Sequence, residues 1–293
     1  MHYAVKVAYD GSLYHGSQRQ GKEDPDSVQG AIQEALRRKN EFTTEADSVK
    51  FSSRTDSGVS AMGNIFSVQT DRDMVSLIKF LNSNLEGICC WSWGELREHQ
   101  NIRWANSRWY RYHLPPRNYG KGFISDMNRA IMEFAGRHDF RRLCRSKEER
   151  NTETTVERAL VQDLSGSGEM VVVDIFGPRF LWNQVRRMVS CAVKFAEGKL
   201  VLEDIREIIG DDPDEDRVKK IQSKISTMPP TGLVLMDVHF KDVEFHRVAE
   251  AAEIGMRRFE ESAWKGSIRV LLHTALRGVS NTDPHGVNEN GDR

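Results

Sequence analysis

Three short segments hold most of the side chains whose types and spacing suit chemistry. The first runs Phe51-Ser52-Ser53-Arg54-Thr55-Asp56-Ser57-Gly58-Val59-Ser60-Ala61, leaving a strand and packing small and polar residues around one acid. A carboxylate held rigidly at a strand end between an arginine and glycines, with its oxygens free, can act as base or nucleophile. The ordinary alternative is an Asx turn closed by Asp56 on its own backbone. The second segment is Trp109-Tyr110-Arg111-Tyr112-His113-Leu114. In a strand, Tyr110 and Tyr112 share one face and Arg111 and His113 the other. Aromatic rings interleaved with guanidinium groups suit nucleobases and phosphates, and they equally suit two core tyrosines with hydroxyls at the surface. The third is Phe180 to Val189, after Gly177-Pro178. If Val185 and Val189 face the core at i, i+4, Arg186 lies beside that face, where a partly buried guanidinium needs a carboxylate. Asp56 is the candidate partner, unless Arg186 and Arg187 form a solvated pair.

The elements that must position these side chains follow a recurring order. Tyr3, Val5, Val7 and Tyr9 alternate with period 2 up to the turn pair Asp10-Gly11, a first strand. A helix capped by Asp26 or Ser27 carries Val28, Ile32, Ala35 and Leu36 on one face, with Arg37 to Lys39 at its C-terminal end. Strand-like runs follow at Val49 to Ser53 and Asn64 to Thr70, then a helix from Asp73 with Leu77, Ile78, Leu81 and Leu85, then the apolar run Ile88 to Trp93. The second half repeats this β-α-β-β-α-β order. It has a strand at Arg108 to Leu114, a helix from Ser125 or Asp126 stopped by Gly136, and a hairpin of Thr155 to Asp163 with Glu169 to Phe176 across Ser165-Gly166-Ser167-Gly168. A long helix spans Phe180 to Glu197, a shorter one ends at Gly210, and a last strand spans Gly232 to Phe240. The spacing therefore predicts an α+β protein. Two ferredoxin-like halves, residues 1–103 and 104–243, form one mixed, mainly antiparallel sheet with helices on one face and the other face open to a ligand. Beyond residue 243 a helical extension from Glu244 to Leu276 and a disordered polar tail are expected.

Composition narrows the function. Hydrophobic residues at 39% and charged residues at 29% of 293 belong to a folded soluble chain, not a disordered one. The longest uncharged stretch, Ser57 to Thr70, has 14 residues, short of the roughly 18 that span a membrane. The charged, alternating N-terminus lacks the apolar core of a secretory signal, so a cytoplasmic protein is expected. Cys89, Cys90, Cys144 and Cys191 form no Cys-x-x-Cys pair, which argues against zinc sites and disulfide frameworks. The net charge of −1 hides a segregation: Arg103 to Lys147 holds 11 basic residues against 3 acidic ones, and Arg179 to Lys199 holds 5 against 1. The balancing acid lies in Glu203 to Arg217, with 8 acidic residues against 2 basic ones. A polyanion is therefore drawn to one part of the surface. The acidic run from Asp211 to Asp216 lacks metal-ligand spacing and reads as a solvated loop or helix start, which disfavours a metal-dependent nuclease.

Taken together, the segments resemble the tRNA pseudouridine synthase A (TruA) family, in its archaeal form. The resemblance runs from Tyr3 to Phe240: Tyr9-Asp10-Gly11 with Gly16-x-Gln18-Arg19-Gln20, Arg54-Thr55-Asp56-x-Gly58-Val59, Tyr110-Arg111-Tyr112, Gly136-x-His138-Asp139-Phe140, Phe180-Leu181 with Val185-Arg186-Arg187-Met188, and Gly232-Leu233-x-Leu235. It implies Asp56 as the catalytic aspartate and Tyr110 as the ring that stacks on the target uracil. It also implies Arg186 as the partner of the aspartate, Arg54 as a residue that displaces the target base, and Leu235 or Leu233 in the hydrophobic wall. The family's substrate is tRNA, at positions 38 to 40 of the anticodon stem-loop, and the family commonly forms homodimers. Ser17 and Ser60 depart from the common bacterial pattern, which has Trp and His there, and neither belongs to the implied chemistry.

The implied reaction breaks a C1'–N1 bond and makes a C1'–C5 bond on the same base, so it needs no oxidant, nucleotide or metal. The sequence has no phosphate-binding loop of the G-x-x-x-x-G-K-[ST] type, and no cofactor is expected. Asp56 would either attack C1' or take the C2' proton, and Arg186 would favour its ionised form. Tyr110, ordinarily of pKa about 10, suits stacking better than proton abstraction. A target in a folded stem must first be flipped out, at a cost of a few kcal/mol that backbone contacts offset. The rival reading is a non-catalytic RNA-binding protein on the same duplicated fold, which would need the tyrosines and basic surface but not the Asp56 and Arg186 pair.

Overall fold

The computed structural model describes residues 1–19, 26–38, 42, 46–98, 100–115, 117–145 and 151–254. The alternating N-terminus forms β1 (His2–Tyr9), which sends Tyr3, Val5, Val7 and Tyr9 into the core. It is followed by α1 (Val28–Arg38), β2 (Lys50–Phe51), β3 (Ser60–Gln69), α2 (Met74–Asn84) and β4 (Ile88–Glu95). The helix starts follow local capping chemistry: Ser27 Oγ accepts from Gly30 N at 3.1 Å, and Asp73 Oδ2 from Ser76 N at 2.7 Å. The second half comprises β5 (Ser107–His113), α3 (Lys121–Met132), β6 (Gly136–Asp139), β7 (Glu153–Val156), β8 (Arg158–Asp163), β9 (Val171–Gly177), α4 (Gln184–Ala196), α5 (Leu202–Ile209), α6 (Glu215–Lys224) and β10 (Leu233–His239).

Among the described residues one sheet runs β4-β1-β3-β10-β5-β9-β8, with β2 on β3, so each half keeps the order fourth, first, third, second. This is the expected α+β architecture of two ferredoxin-like units. The apolar stripes of α1, α2, α3 and α4 share one core with the inward face of the sheet. The opposite face carries the small cluster Ala8, Met62, Cys89 and Val234, with Trp91 and Met236 beside it. The union of the halves depends on the shortness of β2. It pairs only with Phe66 and Ser67, at the far end of β3. The edge of β3 is thus left free at Ser60 and Ala61, where β10 adds in parallel through Val234 and Leu235. Across β10, Leu235 faces Tyr110 and Leu233 faces Tyr112 of β5. The loop that precedes β3 therefore meets the middle of β5.

Several boundaries differ from the periodicity. Helix α3 begins at Lys121 rather than Ser125, because Gly120 is extended and acts as N-cap without a side-chain bond. Helix α4 begins at Gln184 rather than Phe180, because Asn183 adopts a left-handed φ of 66° and breaks the run. Thr155 belongs to β7, which pairs with β6 in a separate two-stranded sheet, and β8 starts at Arg158. After Phe240 the expected helix does not begin at Glu244: β11 (His246–Arg247) pairs with β4, and helical residues begin at 249. Phe245 and Val248 pack on the core, and Ala251 is fully buried, so this segment closes the sheet edge. The remainder of the expected helix, from residue 255 to Leu276, and the polar tail lie outside the described residues. The acidic run forms the start of α6, with Asp214 capping Asp216 N and Arg217 N. No helix among the described residues is long and apolar enough to cross a membrane.

On the far side of β5, Arg111 makes a bidentate pair with Asp174 of β9 at 2.8 and 2.9 Å. His113, two residues on, is largely buried with its Nδ1 unpaired. Burial, and then the neighbouring Arg111, push its pKa down to about 4 against the opposing pull of Asp174. The folded protein thus resists a proton that the unfolded chain accepts near 6.5. The stability contributed by neutral His113 is complete above that value and is lost as pH falls toward 4, at about 1.4 kcal/mol per unit. Thermal melting between pH 7 and 4.5 is expected to fall less steeply for His113→Gln than for the wild type.

Candidate active site

Asp56 sits in the connection from β2 to β3, and the surrounding chain leaves it little freedom. Thr55 is buried beneath it, with its hydroxyl 2.7 Å from the Tyr9 hydroxyl, which accepts from Asn64 Nδ2 at 3.0 Å. Ser17 Oγ accepts from Thr55 N at 2.8 Å, and Ser17 N donates to Thr55 O at 3.0 Å. Ser60 Oγ accepts from Gly11 N at 3.1 Å. Ser17 is therefore tied to the loop that carries Asp56, and Ser60, at the end of that loop, to the Gly11 turn. Glycine is required at two points here. A Cβ on Gly11 would lie 2.1 Å from the Val59 carbonyl oxygen, and Gly58 takes a φ of +82° to turn the chain after Ser57.

Arg108 of β5 clamps the same loop from the second half. Its guanidinium is buried and donates to Ser53 Oγ at 2.8 Å, Ser52 O at 3.2 Å, Arg103 O at 2.9 Å and the Pro178 carbonyl. Burial lowers its pKa from the usual arginine value. Its partners among the described residues are uncharged oxygens drawn from three chain segments, so it joins the Asp56 loop to the approach of α4.

Arg186, in the first turn of α4, faces that loop. Its Nη1 donates to Asp56 Oδ2 at 3.2 Å and to Asn183 Oδ1 at 2.9 Å, and its Nε donates to Met228 O at 2.6 Å. The arginine side chain is 13% exposed and the aspartate 37%, so the cation is held inside while the carboxylate looks outward. Arg187 is anchored alongside, to Thr227 Oγ1 and Cys144 O, both at 3.3 Å. Neither arginine is a free solvated cation.

The carboxylate opens on a cavity of about 1220 Å³ whose lining includes Arg54, Asp56, Tyr110, Phe180, Arg186 and Leu233. Tyr110 is buried in the middle of the sheet and meets Phe180 edge-to-face with centroids 5.4 Å apart. Burial pushes its phenol well above the ordinary tyrosine value, so the ring is neutral and protonated at pH 7. Tyr112 follows the other reading of the aromatic strand: it is a core residue whose hydroxyl donates to Pro229 O at 3.1 Å. Arg54 is exposed at the rim. Leu235 has no exposed surface and lies directly across from Tyr110, whereas Leu233, two residues earlier on the same face, lines the cavity. Among the described residues, five arginines (19, 54, 145, 186 and 187) and one acid, Asp56, line the space, a field that attracts a polyanion.

A family model described as tRNA pseudouridine synthase matches residues 130–241. The tRNA pseudouridine synthase A of Pyrococcus furiosus is 35% identical over 280 residues, which cover 95% of this chain and 96% of that protein. This chain belongs to the tRNA pseudouridine synthase A family. The member from Archaeoglobus fulgidus is 32% identical over 94% of this chain and 95% of its own, and that from Methanococcoides burtonii 33% over 82% and 83%. Around the Asp56–Arg186 pair the structure shows contacts that sequence patterns do not reveal. The Met228 carbonyl has no side-chain signature, and Asn183 reads as an ordinary helix residue until its left-handed backbone is seen. Ser17 and Ser60 could have been found only as buried hydroxyls facing backbone amides.

Proposed function

We propose that this chain isomerises uridine to pseudouridine in the anticodon stem-loop of tRNA, at positions 38, 39 or 40, with Asp56 as the catalytic carboxylate. Family membership makes it an isomerase acting on tRNA. The observation that carries the finer reading is the 3.2 Å pair between Asp56 and Arg186, formed across the two halves at the floor of a basic cavity. A carboxylate in this position acts at the ribose, by attack on C1' or removal of the C2' proton, and the C1'–N1 bond breaks. The released uracil turns and C5 bonds to C1', which expels the Asp56 carboxylate from C1' or, by the other route, returns the abstracted proton to C2'; the C5 proton then passes to solvent and N1 takes up a proton. Arg186 keeps the Asp56 carboxylate directed into the cavity, with its own position fixed by Met228 O and Asn183.

Tyr110 supplies a neutral ring for the uracil to stack on, in edge-to-face contact with Phe180 and with Leu235 beside it on the neighbouring strand. Leu233 takes the place in the hydrophobic wall expected of Leu235, because it is the leucine of the pair that reaches the cavity. Arg54, exposed at the rim, fills the space left by the displaced base. The protein acts in the cytoplasm as a homodimer, with one tRNA touching both subunits. The test is to incubate an unmodified tRNA transcript carrying uridines at 38 to 40 and elsewhere, and to map pseudouridine along the chain. Conversion confined to 38–40 is expected, and conversion only outside the anticodon arm would overturn the assignment.

A further inference from the structure

The cavity is larger than one uridine requires: about 1220 Å³ exceeds the roughly 300–1,000 Å³ of pockets that hold a drug-sized ligand. Its lining includes a side chain that neither the core nor the Asp56 chemistry uses. Trp182 is 47% exposed, although its neighbours Leu181 and Asn183 are buried. The backbone holds it firmly. Gln184 N donates to Leu181 O at 3.0 Å, Arg145 N donates to Trp182 O at 3.1 Å, and the left-handed Asn183 follows at once. The Arg145 guanidinium lies 5.0 Å from the centroid of the indole, a cation–π pair that fixes the ring and brings positive charge to it. A large aromatic ring held open to a basic cavity, beside an exposed arginine, has the chemistry of a base-stacking platform.

We propose that Trp182, backed by Arg145, is a second nucleobase site, which stacks the nucleotide next to the target uridine while the target occupies the Asp56 and Tyr110 pocket. This rests on reading the cavity as the site of RNA modification. Trp182 is four residues from Arg186 on the same turn-and-helix segment, so a base on the indole lies on the segment whose arginine contacts the Asp56 carboxylate. Flipping one uridine also removes a stacking partner from its neighbour. An indole that receives this neighbour replaces the lost stack and holds the splayed strand open.

The test uses the full chain, an unmodified tRNA transcript, and anticodon-arm RNAs with 2-aminopurine placed on one side or the other of the modified uridine. Trp182→Ala is expected to bind tRNA about 10- to 100-fold more weakly, the range for loss of one stacked base. The loss should fall mainly in KM, and Trp182→Phe should recover most of it. In complexes with the wild type, 2-aminopurine on one side should be quenched relative to its complex with Trp182→Ala. If the wild type forms pseudouridine while Trp182→Ala shows wild-type KM and equal fluorescence on both sides, the platform is overturned and the catalytic reading stands. If the wild type forms no pseudouridine in any tRNA, the reading of the cavity fails and the platform with it. Melting of Trp182→Ala at the wild-type temperature verifies that an affinity loss is local.

Discussion

Asp56→Asn is expected to bind tRNA at the wild-type level and to form pseudouridine about 10⁴-fold more slowly, the upper end of what one positioned acid–base group contributes. The substitution keeps the shape of the side chain and an oxygen for Arg186. The loop beneath it is held independently by Thr55 on Tyr9, Ser17 on the Thr55 amide and Arg108 on Ser52 and Ser53. What is lost is the negative charge and its lone-pair basicity, which the reaction at C1' or C2' requires. Single-turnover conversion at saturating tRNA, with binding measured on the same protein, separates the two effects. Turnover within 10-fold of the wild type would exclude Asp56 as the reacting group.

Arg186→Met is expected to lower turnover by about 10²- to 10³-fold, the scale for removing one preorganised electrostatic contact from an active site. Three acceptors converge on this guanidinium: Asp56 Oδ2, Asn183 Oδ1 and Met228 O. Methionine fills the space but leaves all three without the donor, and Asp56 loses both its counter-charge and its direction. Arg186→Lys should recover only part of the loss, because an ammonium keeps the charge but not the planar fork that reaches the Met228 carbonyl and Asp56 together. The pattern to look for in kcat is wild type well above Lys, and Lys above Met. A methionine variant within 3-fold of the wild type would show that the ion pair is structural only.

The parts of the fold governed by local periodicity were legible in the residues. The alternation of Tyr3 to Tyr9, the stripe Val28, Ile32, Leu36 and the capping Asp73 each specify an element without reference to the rest of the chain, and the paired β-α-β-β-α-β order follows. What periodicity cannot carry is the way the halves join. That depends on β2 being only two residues long, so that β10 can take the free edge of β3 at Ser60 and Ala61. The start of α4 escapes periodicity for a related reason. Phe180 and Leu181 suit a helix by composition, and only the left-handed Asn183 shows that they form a turn. The helix expected from Glu244 gave way to β11 because Phe245 and Val248 are needed at the open edge of β4. Asp56, Tyr110 and Arg186 were legible as unusual residues in unusual company, and the structure brings all three to one cavity from β-strand, loop and helix. Of the two leucines, only the three-dimensional register separates Leu233, which lines the cavity, from Leu235, which lies across from Tyr110.

The most direct test of the central claim follows the C5 proton, since an isomerase must release it once for each uridine converted. A tRNA transcript labelled with tritium at C5 of uridine is incubated with a catalytic amount of wild-type protein, and with Asp56→Asn in parallel. The expected result is tritium in solvent equal to the pseudouridine formed, with repeated turnovers by the wild type and release about 10⁴-fold slower by Asp56→Asn. Equal release by the two proteins, or none by the wild type from a tRNA that it binds, would contradict the assignment of Asp56 and its cavity to this reaction.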